Sequence, residues 1–171
     1  DHNQDNVKLD FRALRFPGLL IADTVPTGGT TDCGSEMLHY AAQGQAYECF
    51  VTGDTKLPFM TMPDAVRALM QYSAAPKEQL TRQVYNVGSF SVSAVQIAGQ
   101  VQQHFPASRV SYVVNADRQA ICDSWPADLD DSAARTDWGW RPDFDFSSAF
   151  RDYLVPGVKR HYAIAGHMAE R

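Results

Sequence analysis

The sequence predicts an α/β fold, and three observations carry that reading. Short apolar strand patterns alternate with helical ones along the chain. The clearest helix sets Ala94, Ile97, Ala98, Val101 and Phe105 on one face at helical spacing. The first apolar strand stops at Pro17-Gly18 and is followed by a glycine- and hydroxyl-rich run, Pro26-Thr27-Gly28-Gly29-Thr30-Thr31-Asp32. In open α/β sheets ligands sit beyond the carboxyl ends of strands, where glycine lets backbone approach closely. Gly, Pro, Thr and Asp are also ordinary turn residues, and on these residues alone a surface turn is the preferred reading.

The elements run in order along the chain. Val7, Leu9, Phe11 and Ala13 alternate as a strand that Leu14 and Phe16 continue inward. Ser35 is read as the cap of a short helix with Met37, Tyr40 and Ala41 on one face, closed by Gly44. Residues 47–51 and 57–62 read as strands around a Gly53-Asp54 turn. Pro63 suits the first turn of a helix bearing Val66, Leu69 and Met70, stopped by Pro76, with Asp64 a structural helix-start residue. A short strand covers 84–87, and Ser91 or Ser93 caps the helix described above. Residues 109–114 form another strand, and Asp130 starts a helix that ends at Trp138-Gly139. Ser147 is expected to cap a last helix carrying Phe150, Tyr153 and Leu154, interrupted by Pro156. The first six residues read as frayed and 161–171 as weakly patterned.

Composition narrows the function. The 171 residues are 44% hydrophobic and 11% aromatic, as in a globular domain. A net charge of −5 argues against nucleic acid or an anionic membrane as partner. No apolar run reaches a membrane span, and no signal-peptide pattern opens the chain at Asp1. Cys33, Cys49 and Cys122 are odd in number and far apart, which reads as free thiols. The five histidines lack metal spacing, so no metal is expected; His39, His104 and His161 are placed near helix surfaces. Catalytic motifs are missing too. There is no G-x-G-x-x-G turn, no Walker loop and no G-x-S-x-G, and no tyrosine has a lysine four residues on.

Longer stretches say more than these motifs. They are residues 9–18 (Leu-Asp-Phe-Arg-Ala-Leu-Arg-Phe-Pro-Gly), Gly28-Gly29-Thr30-Thr31-Asp32, residues 57–65 and residues 84–91. Most distinctive is Arg118-Gln119-Ala120-Ile121-Cys122-Asp123-Ser124-Trp125-Pro126, running into Asp130-Asp131-Ser132 and Trp138-Gly139-Trp140. From about Val7 to Asp152 this order resembles the second half of the extended short-chain dehydrogenases of the NAD-dependent epimerase/dehydratase family. Within them it is similar to the L-threonine 3-dehydrogenases of short-chain type.

The resemblance implies the last strands of a Rossmann-type sheet plus a small α/β substrate-binding lobe. Residues 1–171 would be the carboxyl-terminal part of a longer enzyme whose amino-terminal half binds NAD and holds a Tyr-x-x-x-Lys pair upstream of Asp1. It implies an amino acid substrate, a homodimer in the full-length form, and no catalytic residue within these 171. It places Phe16, Pro17 and Leu19 against the nicotinamide. Thr30 and Asp32 match substrate-contacting positions, with Thr30 on the substrate carboxylate and Asp32 on its ammonium. Trp125 shapes the pocket or serves equally as a core anchor. Thr27 stands where the family commonly has glycine, which puts the path of the loop in question. Arg135, Trp138 and Trp140 are read as structural. The compartment would be the cytoplasm in a bacterium, or the mitochondrion in a eukaryote.

Two other readings stay open at this point. One is a sugar-nucleotide epimerase or dehydratase, with Arg118 and Arg135 serving a diphosphate. The other is a non-catalytic binding module, since base and cofactor loop are absent. The first strand would leave an exposed edge that a partner or a second copy covers.

Overall fold

The structure, a computed structural model, describes residues 9–169, with side chains described through residue 163. The described residues form three small sheets surrounded by helices. Strand β1 (Ala13–Arg15) pairs in parallel with β5 (Val84–Asn86). A three-stranded sheet runs in the order β2 (Gly18–Leu20), β4 (Lys56–Thr61), β6 (Phe90–Ser93), with β2 parallel and β6 antiparallel to β4. Strand β3 (Tyr47–Cys49) pairs in parallel with β7 (Val110–Tyr112).

Strand β4 organises the interior. Side chains along a strand point alternately to its two faces. Leu57 and Phe59 enter one core with Leu20, Met37, Leu38, Ile97, Val101, Phe150 and Leu154. Met60 enters a second core with Ala65, Ala68, Tyr72, Tyr85 and Trp140. Helices α1 (Cys33–Ala42), α3 (Ala94–His104) and α7 (Val155–Ala169) cover the first core. Helix α2 (Met62–Ala74) and α5 (Ser132–Asp137) cover the second.

Helix ends obey local chemistry. Thr61 caps α2 by accepting the Asp64 N–H, with Pro63 in the first turn. Ser93, not Ser91, caps α3 in a reciprocal box with Gln96. Asp64 is buried: its carboxylate accepts from Arg67 Nη2 at 2.9 Å, from the Asp143 N–H at 2.9 Å and from the Phe144 N–H at 3.3 Å. It ties α2 to the segment before the last helices. Trp140 is fully buried and donates its indole N–H to the Gly88 carbonyl at 3.2 Å. Trp138 stacks on Tyr72 with centroids 5.4 Å apart.

Several expectations change. The first strand is shorter than its alternation implies: only Ala13–Arg15 is paired, Leu9 and Phe11 lie ahead of it outside any strand and are exposed, and Val7 lies outside the described residues. A separate strand, β2, follows Pro17, which offers no backbone donor between the two. Helix α1 starts two residues before Ser35, with Asp32 at its amino end. The last helical run begins at α6 (Phe146–Ser148), capped by Asp145 with Ser148 rather than by Ser147. It continues through a wide turn, Ala149–Leu154, in which the Val155 N–H reaches back to the Phe150 carbonyl. That turn displaces the carbonyl the Pro156 ring would strike, so Pro156 sits inside α7 instead of ending it. His39 is buried, since its face of α1 packs on α7; its Nδ1 lies 2.9 Å from the Tyr162 hydroxyl.

Candidate functional site

Two loops meet at the carboxyl end of β1 and the start of β2. The first is the segment 25–32. Gly28 has φ +91°, a conformation that favours glycine, and its carbonyl and that of Gly29 face helix α4 (Ala116–Asp123). The Asp32 carboxylate folds back and accepts from the Gly28 N–H at 3.1 Å and the Gly29 N–H at 2.6 Å. The loop thus closes on the carboxylate of its own last residue immediately before α1.

The second is α4 together with the turn at its carboxyl end, Ser124-Trp125-Pro126. Asn115 caps α4 by accepting the Arg118 N–H at 3.0 Å. Gln119 accepts the Thr52 N–H at 2.9 Å and donates to Thr55 Oγ1 at 3.0 Å, which fixes α4 to the turn after β3. Just past the end of α4 the Trp125 N–H bonds the Cys122 carbonyl at 3.1 Å. The tryptophan side chain is left two-fifths exposed, at 41%.

Between the two loops lies a pocket of about 230 Å³ whose lining includes Phe16, Pro17, Gly18, Thr31, Pro58, the Trp125-Pro126 pair and Leu129. Gly18 is required by space: a Cβ there would stand 2.8 Å from the Phe59 ring and 3.1 Å from Thr31 Cβ. A neighbouring cleft of about 350 Å³ shares Pro58 and Leu129 and adds Lys56, Ser91, Asp128 and Arg135. The Ser91 hydroxyl donates to Asp128 at 2.5 Å and holds that carboxyl below the usual carboxylate range. Arg135 is bound to Asp131 at 2.6 and 2.9 Å.

The structure therefore brings together Phe16, Pro17 and Trp125 around one pocket, and places the other three residues elsewhere. Thr31 lines the pocket, where the sequence reading chose Thr30. Residues 30–32 form a turn, so adjacent side chains diverge, and only Thr31 faces the gap left by Gly18. The Thr30 carbonyl instead accepts the Cys122 thiol at 3.7 Å. Asp32 engages its own loop rather than lining the pocket. Leu19 packs against the second core. Sequence reasoning missed Gly18, Pro58 and Leu129 as lining residues. Leu129 carried no signal, whereas Gly18 could have been found as the glycine at which the first strand stops.

Cys33, Cys49 and Cys122 are buried free thiols. A hydrogen bond to Cys49 and burial push the Cys33 thiol far up; burial also raises Cys122. Among the described residues no group of three or more His, Cys, Asp and Glu has metal-binding placement, and no helix is long and apolar enough to cross a membrane.

Searched against known proteins, the chain matches no family model. It is 45% identical over 137 residues to the mitochondrial L-threonine 3-dehydrogenase of Bos taurus, which covers 80% of this chain and 37% of that protein. It superposes on an L-threonine dehydrogenase from Cupriavidus necator with a TM-score of 0.82 at 38% identity, covering 86% of this chain and 53% of that one. Over the matched residues the chain belongs to the extended short-chain dehydrogenase and epimerase–dehydratase superfamily. An uncharacterised epimerase/dehydratase of Staphylococcus haemolyticus is 37% identical over 140 residues, 81% of this chain and 44% of that protein. Superfamily membership accounts for the Rossmann-like α/β layout and for its closeness to the threonine dehydrogenases. The chain spans about two-fifths to one-half of the length of these relatives.

Proposed function

We propose that this chain is the substrate-facing, carboxyl-terminal part of an NAD-dependent dehydrogenase that oxidises the C3 hydroxyl of L-threonine to 2-amino-3-oxobutyrate. The observation that carries the reading is the small pocket on which Phe16-Pro17, Thr31 and Trp125 converge. Likeness to the threonine dehydrogenases of Bos taurus and Cupriavidus necator supports it.

Each wall has a task in this reading. Thr31 offers a hydroxyl to the substrate carboxylate. Trp125 covers the aliphatic side of the substrate and limits water. Phe16 and Pro17 give an apolar, donor-poor surface that suits one face of a nicotinamide; Leu19, packed in the second core, supports that surface from behind. Asp32 holds the backbone of the loop in place, and Thr30 anchors the loop on α4. NAD held against Phe16 and Pro17 would supply the hydride acceptor for C3. The hydroxyl proton would leave to a tyrosine outside these 171 residues, since none here has a lysine four residues on.

The exposed face of the chain supports a larger protein. The second edge of β1 is unpaired among the described residues. Leu69 of α2 shares a cleft with Leu14 of β1, and Leu9, Val66 and Met70 are also exposed. Unpaired strand edges and contiguous apolar faces are normally covered. In this reading an NAD-binding half covers them, the complete enzyme is a homodimer, and the 171 residues alone turn nothing over. Its compartment would be mitochondrial in a eukaryotic host, like that named for the Bos taurus relative, and cytoplasmic in a bacterium.

A sugar-nucleotide substrate fits this site poorly. Both arginines that would serve a diphosphate are engaged within the chain, Arg135 on Asp131 and Arg118 on the Gly28 and Gly29 carbonyls. The cleft charges, Lys56 and Arg135 against Asp128 and Asp131, cancel. A panel of L-threonine and UDP-sugars with NAD and the full-length protein tests the proposal. NADH formation with threonine alone supports it, and turnover of a UDP-sugar without threonine oxidation contradicts it.

A further inference from the structure

We infer that Arg118 is the positioning residue that sets the pocket's width, by clamping the loop that carries Thr31 to the helix that carries Trp125. The inference deepens the proposed reading of that pocket and rests on it for the substrate, though not for the geometry.

Three contacts of one side chain carry it. Arg118 Nη2 donates to the Gly29 carbonyl at 2.7 Å and to the Gly28 carbonyl at 3.3 Å. The guanidinium carbon lies 3.2 Å from the centroid of the Phe50 ring. The planar cation is thus oriented by stacking while its edge holds two adjacent carbonyls, a task a point-like ammonium performs less well. Asp32 grips the amides of the same two glycines from the other side. Gly28 and Gly29 are held through both their donors and their acceptors, and Gly28 has no side chain to stiffen a φ of +91°. The Cys122–Thr30 contact that also links the loop to α4 is weak, with sulfur as donor at 3.7 Å.

The far end of the clamp is equally fixed. Gln119, next in sequence, binds α4 to Thr52 and Thr55, and the Asn115 N–H bonds the Phe50 carbonyl at 2.9 Å. Trp125 stands about two turns after Arg118, bonded to the end of the same helix. A shift of the loop relative to α4 is therefore a shift of Thr31 relative to Trp125. Because Arg118 lines the opposite side of the loop from the pocket, among Val25, Pro26 and Tyr47, it acts through the loop and does not touch the substrate.

The test compares wild type, Arg118→Ala and Arg118→Lys in the full-length protein by amide hydrogen exchange and steady-state kinetics. In Arg118→Ala, exchange in peptides covering 27–32 rises about tenfold, while peptides of β2 and β4 are unchanged. The KM for threonine rises about tenfold, with kcat within about twofold and the KM for NAD unmoved. Arg118→Lys gives intermediate exchange and KM, and supplies the same comparison should the alanine variant not fold. Unchanged exchange at 27–32 in both variants overturns the inference, as does acceleration spread equally over β2 and β4. Absence of threonine turnover by the wild type instead refutes the proposed function and leaves the exchange result to decide the clamp.

Discussion

Thr31 occupies space that Gly18 leaves open: a Cβ added to Gly18 would lie 3.1 Å from Thr31 Cβ and 2.8 Å from the Phe59 ring. A strand end and a loop thirteen positions on are fitted to each other by the absence of one methyl group. Gly18→Ala is therefore expected to destabilise the fold by about 1–3 kcal/mol through overpacking and to displace Thr31 from the pocket. Urea unfolding and the KM for threonine measured on the same variant check both effects. Unchanged values for both would show that the fit is loose.

Trp125 separates function from stability. Its side chain is 41% exposed at the pocket mouth, so Trp125→Ala is expected to cost about 1 kcal/mol or less in stability. The same change should raise the KM for threonine roughly tenfold by admitting water and removing apolar contact. A large fall in melting temperature would mark the residue as a core anchor instead.

Asp64 is expected to be the most damaging carboxylate to lose. It is buried and holds Arg67 and two backbone N–H groups of residues 143 and 144. Asp64→Ala takes the acceptor from the two backbone N–H groups and leaves Arg67 only Asp143 and the Arg141 carbonyl, and should cost about 3 kcal/mol. The denaturant midpoint reads this directly, and a loss under about 1 kcal/mol, roughly the value of an exposed pair, would contradict it.

Stability should depend on pH through His39. Burial first, and the neighbouring His161 second, hold His39 below its ordinary value of 6.5, although the Ile21 carbonyl and Asp23 pull the other way. The unfolded chain then takes up a proton that the folded chain resists. Stability is full above about pH 6.5 and declines as pH falls below it toward the lower folded value. Denaturant midpoints between about pH 5 and pH 8 should show this slope, and His39→Gln should flatten it. An unchanged slope in the variant would assign the dependence to other groups.

The legible parts of the sequence were those with a strong local code. Helix α3 carries an apolar stripe and a Ser93–Gln96 box; α2 carries Pro63 and Asp64 at its start. Helix α4 was not legible, because only Ile121 and Cys122 among its eight residues are large or sulfur-bearing apolar groups. Its hold comes from Asn115, Arg118 and Gln119, which no hydrophobic period reveals. Strand β6 is half serine and short, so its serines read as helix-cap residues. The site was legible as a region and not as a residue list. Phe16, Pro17 and Trp125 share the pocket, yet the choice between Thr30 and Thr31 depends on how a three-residue turn rotates into α1, and the use of Asp32 depends on the amides it meets.

The two adjacent threonines show most directly whether this pocket holds the substrate. Initial rates of NADH formation from L-threonine are compared for the full-length protein with Thr31→Val and with Thr30→Val. Thr31→Val is expected to lower kcat/KM by about tenfold or more, the loss of one hydrogen bond to a charged group, while Thr30→Val stays within about threefold of wild type. Equal, small effects of both changes, or a larger loss at Thr30, would contradict a pocket in which Thr31 faces the substrate.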